Sequence, residues 1–347
     1  MQRFQCKNCG AGLEFDPGTH GMKCDYCDSL EVIPYEQVTP EEHDIFSAPR
    51  NKGWDIEVAT IQCESCGATI SAPKLAGGCS FCGSSYVKEA KTNPDIIRPE
   101  TMIPFKVSRD RARASFNKWI GSGWFRPSNL KKLARPERLR GVYTPFWTFD
   151  CTAHSDWSAM SGYYYYETRT VRTSQGTRTE KVRHTRWVPS SGSRDDAYDD
   201  VLILASKGLD EGLVDDIKPF FLNQLEPYKA QFMAGWQAEE YIVGLPEGWM
   251  RARWIINDAE RTKCARVVPG DTHRALVVST TLDNVRYKHI LLPVWVSAYR
   301  YKDKSYQFLI NGQTGEIRGK APISWVKVGI TVAIIAGLAA GLAWLFG

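Results

Sequence analysis

Residues 6–27 read CKNCGAGLEFDPGTHGMKCDYC, and residues 63–82 read CESCGATISAPKLAGGCSFC. Each stretch carries two Cys-x2-Cys pairs: Cys6/Cys9 with Cys24/Cys27, and Cys63/Cys66 with Cys79/Cys82. Fourteen residues lie between Cys9 and Cys24, and twelve between Cys66 and Cys79. A Cys-x2-Cys pair makes a tight knuckle that turns both thiolates toward one point. Two knuckles on facing hairpins then close a tetrahedral four-thiolate site with metal–sulfur distances of about 2.3 Å. Glycine follows the second cysteine in CKNCG, CESCG and CSFCG, where the chain must turn sharply. CDYCD has Asp28 there, a residue that tolerates a left-handed turn.

The spacing therefore predicts two structural zinc ions, bound by Cys6, Cys9, Cys24 and Cys27 and by Cys63, Cys66, Cys79 and Cys82. A redox Cys-x-x-Cys normally stands alone beside a βαβ pattern, and a catalytic zinc keeps an open position that four thiolates do not leave. The two remaining thiols, Cys151 and Cys264, have no partner spacing and read as small core residues.

Outward from the cysteines, the chain of 347 residues is 43% hydrophobic, 24% charged and 12% aromatic, which excludes wholesale disorder, collagen-like repeats and a polytopic transporter. The net charge of +5 is unevenly spread: residues 1–100 are net −6 and residues 101–150 net +8. An acidic head has the wrong sign for phosphate contacts, so the ribbons read as protein-binding rather than nucleic-acid-binding. Met1–Gly10 has no apolar run of the secretory kind. At the other end Val328–Phe346 is 19 residues without a charge, long enough for one helix to cross a bilayer of ~30 Å. Trp325 and Trp344 stand near its ends, and Arg318, Lys320 and Lys327 flank it upstream, which predicts a cytoplasmic head on a single C-terminal anchor. Gly337 and Gly341 form a small-xxx-small pair that lets a second helix, including that of another copy in a homodimer, approach closely.

The middle begins with a strand leading into a basic helix over about Ser108–Ile120, broken by Gly121 and Gly123, then a short helix Asn129–Ala134. Its cations, among them Arg109, Arg111, Arg113, Lys118, Lys131 and Lys132, suit a solvated face, an anionic lipid surface, nucleic acid or the acidic head itself. Residues 163–188 read as a long hairpin turning at Ser174–Gly176, with Tyr163–Tyr166 for cross-strand packing and His184 on the surface. Residues 196–268 read as mainly helical, with Asp195, Asp196, Asp199 and Asp200 serving the dipole of a helix from Val201. A β-meander follows, turning at Lys302–Lys304 and Asn311–Gly312. No phosphate loop, dinucleotide fingerprint, HExxH or GxSxG occurs, and no catalytic set is singled out.

The expected fold is α+β: zinc ribbons at 1–35 and 59–95 joined by a linker 36–58 with prolines, a β-rich body of hairpins and helices at 96–322, and a transmembrane anchor at 323–347. This order of parts resembles a bacterial family of zinc-ribbon membrane proteins, often labelled transcription-factor-IIB-type zinc ribbon or primosomal helicase-like. The resemblance is carried by the cysteine knuckles, TPFWTFD (144–150), the tyrosine-rich hairpin and LPVWVSAYRYKDKSYQFLINGQTGEIRG (292–319). It implies a membrane adaptor accompanying phage-shock-type or other membrane-scaffold proteins of envelope stress, at the inner membrane. The helicase label lacks its nucleotide-binding loop here. The expectation is thus a non-enzymatic adaptor that recruits a protein partner, with a membrane-tethered nucleic-acid binder using 101–150 and 163–188 as the rival.

Overall fold

The computed structural model describes residues 4–35, 40–47, 60–71, 79, 81, 82, 87–90, 97–128, 130, 139–173, 176–302 and 304–346. Strands β1 (Leu13–Asp16), β2 (Gly21–Cys24) and β3 (Leu30–Val32) form an antiparallel sheet in the order β1-β2-β3 around the first cysteine set. Its apolar side, Leu13, Phe15 and Met22, belongs to the same buried cluster as Met102, Phe105, Phe232 and Trp295 of the body. The Phe15 amide donates to the Ala234 carbonyl at 3.0 Å, and the Trp236 indole donates back to the Phe15 carbonyl at 2.9 Å.

Strand β4 (His43–Asp44) comes from the expected linker and pairs with the body at Arg286 and Tyr287. Around the second cysteine set lie β5 (Thr60–Cys63), β6 (Thr69–Ser71) and β7 (Val87–Ala90), with β5 between the other two. Strand β8 (Thr101–Met102) precedes helix α1 (Arg109–Gly121), whose N-cap Ser108 accepts the Arg111 amide and whose inner face is Ala112, Phe116 and Ile120. Helix Asn129–Ala134 lies, apart from Leu130, outside the described residues, as does most of the linker.

The framework of the body is three very long strands. These are β9 (Arg140–Thr173), β10 (Gly176–Leu204) and, further on, β13 (Thr272–Tyr301), with β9 in the middle. At about 3.3 Å per residue, the 34 residues of β9 have a contour of about 110 Å. β13 leaves β9 at the Thr272–Gly162 pair, so beyond Gly162 only the β9–β10 hairpin continues.

The expected helical run fails at its start: residues 196–204 are strand, and α2 (Glu211–Asp216) is short. Pairing with β9 overrides any helical pattern there, and Asp196 bonds Arg194 and Lys263 instead of a helix N-terminus. Asp195 faces His154 at 2.6 Å and Asp200 faces Lys288 at 2.8 Å, both as side-chain ion pairs on the sheet. A bulge between Tyr198 and Val201 puts Asp200 at φ 54°.

Strands β11 (Glu226–Pro227) and β12 (Gln237–Glu239) follow; β12 pairs both with β9 and with β6, so the second cysteine unit continues the sheet of the body. Helix α3 (Leu245–Val267) has Pro246 in its first turn and buries Gly248, Ala252, Ile256, Glu260 and Cys264, one residue in four. This narrow stripe lies across β9, β10 and β13, with Gly248 against Trp147 of β9. Buried Glu260 accepts from Ser155 at 2.7 Å and from Tyr198 at 2.6 Å, so the charge brought under the helix is satisfied. Cys151 and Cys264 are both buried. Strands β14 (Lys304–Asn311) and β15 (Ile317–Gly319) close the meander, and helix α4 (Trp325–Phe346) leaves from the end of the sheet where β9 begins. It is apolar and long enough to cross a membrane, and most of its described apolar side chains are exposed.

Candidate metal centres

Three of the knuckles share one backbone device. The carbonyl of the first cysteine accepts the amide four residues on, at 2.8 Å for Cys6–Gly10 and 2.9 Å for both Cys24–Asp28 and Cys63–Gly67. The first cysteine's own amide donates one residue further, to Ala11, Ser29 and Ala68. That closure needs a left-handed residue after the second cysteine, and Gly10 (φ 75°), Gly67 (φ 79°) and Asp28 (φ 56°) supply it. The fourth such residue, Gly83, lies outside the described residues.

The knuckles bring the thiols together as the spacing predicts. Sγ atoms stand 3.6 Å apart for Cys6–Cys27 and 3.5 Å for Cys9–Cys24 in the first set. They stand 3.6 Å apart for both Cys63–Cys82 and Cys66–Cys79 in the second. Within each set all four lie within 4.8 Å of one another. Sulfurs bonded to each other would be ~2.05 Å apart. Four sulfurs at about 2.3 Å from a central cation are separated by about 3.8 Å, so the geometry fits a four-thiolate metal site.

Electrostatics point the same way. Ser29 Oγ lies 2.9 Å from Cys6 Sγ and 3.3 Å from Cys27 Sγ. The Ser29 hydroxyl, then the Asn8 amide, lowers the Cys6 thiol to about 6. Cys9 is pushed up to about 12: the Ala11 amide pulls it down, but loss of solvent and the thiols of Cys27, Cys24 and Cys6 outweigh that pull. In the second set the Cys66 thiol helps lower Cys79 to about 5, while Cys66 itself is driven up, first by Cys79. Four thiols so close cannot all ionise alone; a divalent cation at the centre removes the conflict. The cysteine spacing alone does not point to Ser29, which the C-x-S of Cys27-Asp28-Ser29 presents to the thiols.

Other predicted positions scatter. Arg109 and Arg113 gather with Arg140 near Glu14 of the first cysteine unit, and burial with these like charges lowers the Arg109 guanidinium below its usual range. Arg111 and Lys118 are exposed on α1; Lys131 and Lys132 lie outside the described residues. Gly337 and Gly341 share one open side of α4. His184 stacks on Tyr165 at 5.4 Å and faces Glu167 at 3.5 Å. In the hairpin beyond Gly162, the register puts Tyr164, Tyr166, Arg172, Lys181 and Arg183 on one face with five threonines and no carboxylate. The sequence also gave no hint of the buried Lys288, which meets Asp200, Asp150 and Glu42 at 2.8, 3.3 and 3.4 Å. A groove of about 530 Å³ runs between α2, α3 and the end of β10, lined by Leu202, Leu204, Val214, Met250 and Trp254 among others.

No family model matches the chain, and no solved structure does. It is similar to the uncharacterized protein YdjG of Bacillus subtilis (strain 168), at 29% identity over 359 aligned residues, covering 96% of this chain and 94% of that protein. The likeness runs nearly end to end rather than over one part.

Proposed function

We propose that the protein is a non-enzymatic adaptor, held in the bacterial inner membrane by α4 with its body in the cytoplasm, that recruits a protein partner to the membrane surface. Both metal sites are read as structural zinc in ribbon-type knuckles, since four thiolates per ion leave no position for a reacting water. The observation that carries the reading is the distance between the two ends of β9. The apolar helix leaves from one end, and the tip of an exposed hairpin stands at the other, the full 34 residues of β9 away. Such a layout suits holding something at a distance from a fixed point. The cysteine units are packed into the body, which moves the proposed grip from them to the hairpin.

The acid-free face of the hairpin favours one rival, a membrane-tethered nucleic-acid binder, because cations with interleaved tyrosines suit a polyanion. Affinity capture of the full chain from solubilised membranes, with and without nuclease, separates the two. The comparison is with a variant whose residues 164–185 are replaced by a two-residue turn. A partner protein that survives nuclease and is lost with the hairpin supports the adaptor. Nucleic acid recovered with the wild type alone, and no protein, would replace it with the rival. A partner retained by the hairpin variant but lost from Cys63→Ser would return the grip to the second ribbon.

A further inference from the structure

The loop that follows α1 runs along one side of α4. The Ser324 amide donates to the Phe125 carbonyl at 2.7 Å, Lys327 Nζ donates to the Arg126 carbonyl at 2.8 Å, and the Trp124 indole N–H reaches Thr331 Oγ1 at 3.4 Å. Positions 324, 327 and 331 recur at three and four residues, which places all three contacts on one stripe. From its other side the loop is held by Arg126, whose guanidinium lies 4.0 Å over the Trp119 ring and donates to the Trp119 carbonyl.

Lys327 is the last charge before the uncharged run that begins at Val328. Thr331 stands four residues beyond Lys327, about 6 Å further along the axis. The Trp124 indole therefore sits past the level of the last charged side chain. Yet Trp124 is 72% exposed and Phe125 44%, beside the exposed Ile323, Trp325 and Val326. Five large apolar side chains spread over the first turns at the base of an apolar helix are badly placed in water. They are well placed at the boundary between lipid headgroups and acyl chains, where an indole buries its ring and keeps its N–H paired.

We propose that Trp124 and Phe125 are a second membrane contact. They insert into the boundary layer of the leaflet that α4 enters, and so fix how the body stands on the bilayer instead of leaving it to swing on a single helix. The ligand is the phospholipid bilayer itself. This inference rests on the reading that α4 spans a membrane.

The test places the photo-crosslinking residue p-benzoyl-phenylalanine singly at Trp124, Leu338 or Val277 of the full chain in phosphatidylcholine–phosphatidylglycerol vesicles. Val277 is an exposed position on β13 far from α4. Irradiation is expected to give lipid adducts at 338, adducts at 124 within a few-fold of that yield, and none at 277. Adducts at 338 without any at 124 would overturn the loop contact and leave the anchor standing. No adduct at 338 would overturn the spanning helix, and the loop contact with it. Equal labelling at all three positions would also overturn the proposal, since the signal would then report no depth.

Discussion

His289 is sealed between Trp147 and Tyr241, with ring centroids 4.7 and 5.3 Å away, and its Nδ1–H donates to the Ile97 carbonyl at 2.7 Å. Its Nε2 meets no hydrogen-bond partner among the described residues, and burial lowers the imidazole to about 4 from its ordinary 6.5. The folded protein therefore holds a neutral ring where the unfolded chain takes up a proton. Stability that is present above pH 6.5 is lost as the pH falls through 4. A gap of this width is worth on the order of 3 kcal/mol. His289→Gln keeps a donor for Ile97 and cannot be charged, so its thermal midpoint should fall less than that of the wild type between pH 6.5 and 4. Parallel curves would assign the acid sensitivity to other groups. At the metal sites, Cys63→Ser should lower the bound zinc from two ions to one per chain, measured by elemental analysis. Of these two sites of chemistry only the cysteines were legible beforehand. Their spacing is local, whereas His289 owes its environment to residues 48 to 192 positions away.

Helix α3 shows what a single element demands. Its buried stripe at every fourth position is narrow, and an added Cβ at Gly248 would lie 2.8 Å from Trp147 Cδ1 on β9. Gly248→Val should therefore destabilise by about 1–3 kcal/mol through overpacking. Met250→Ala, at a side chain 67% exposed, should leave the urea midpoint nearly unchanged. If both variants unfold alike, the helix does not rest on the sheet through that stripe. This helix falls within residues 196–268, read as mainly helical, and α1 matches the basic helix expected over about Ser108–Ile120. The strands were readable only in pieces. Pro145, Gly162 and Gly192 interrupt the alternation within β9 and β10, and the bulges at Asp200, Ala275 and Asn284 shift it by a residue. A reader of local pattern sees several short strands and a helix from Val201, where non-local pairing makes three strands of 29 to 34 residues.

A compact chain of 39.2 kDa would expose about 14000 Å², whereas this one exposes 20322 Å². The projecting hairpin and the exposed α4 contribute to the excess, while the body itself is built round an extensive buried core. The first cysteine unit supplies part of that core: Phe15 meets Phe232 edge-on at 5.2 Å, and His20 reaches the buried Glu226 at 3.1 Å. The second supplies a sheet neighbour through β6 and a buried contact of Ala68 and Phe81 against Gly208. On the proposed reading each unit would be held folded by a metal ion, without which the knuckles lose the point they close upon. Removing zinc with a strong chelator at neutral pH should therefore lower the thermal midpoint of the body itself. The near-ultraviolet signal of Trp236, whose indole bonds Phe15, should change in step with metal release. Two detachable heads on an indifferent body would behave otherwise, with zinc leaving while the body transition stays where it was. That outcome would separate the units from the core in which their side chains are found. A joint loss would make the two metal ions supports of the whole body, and the hairpin that depends on it would lose its footing with them.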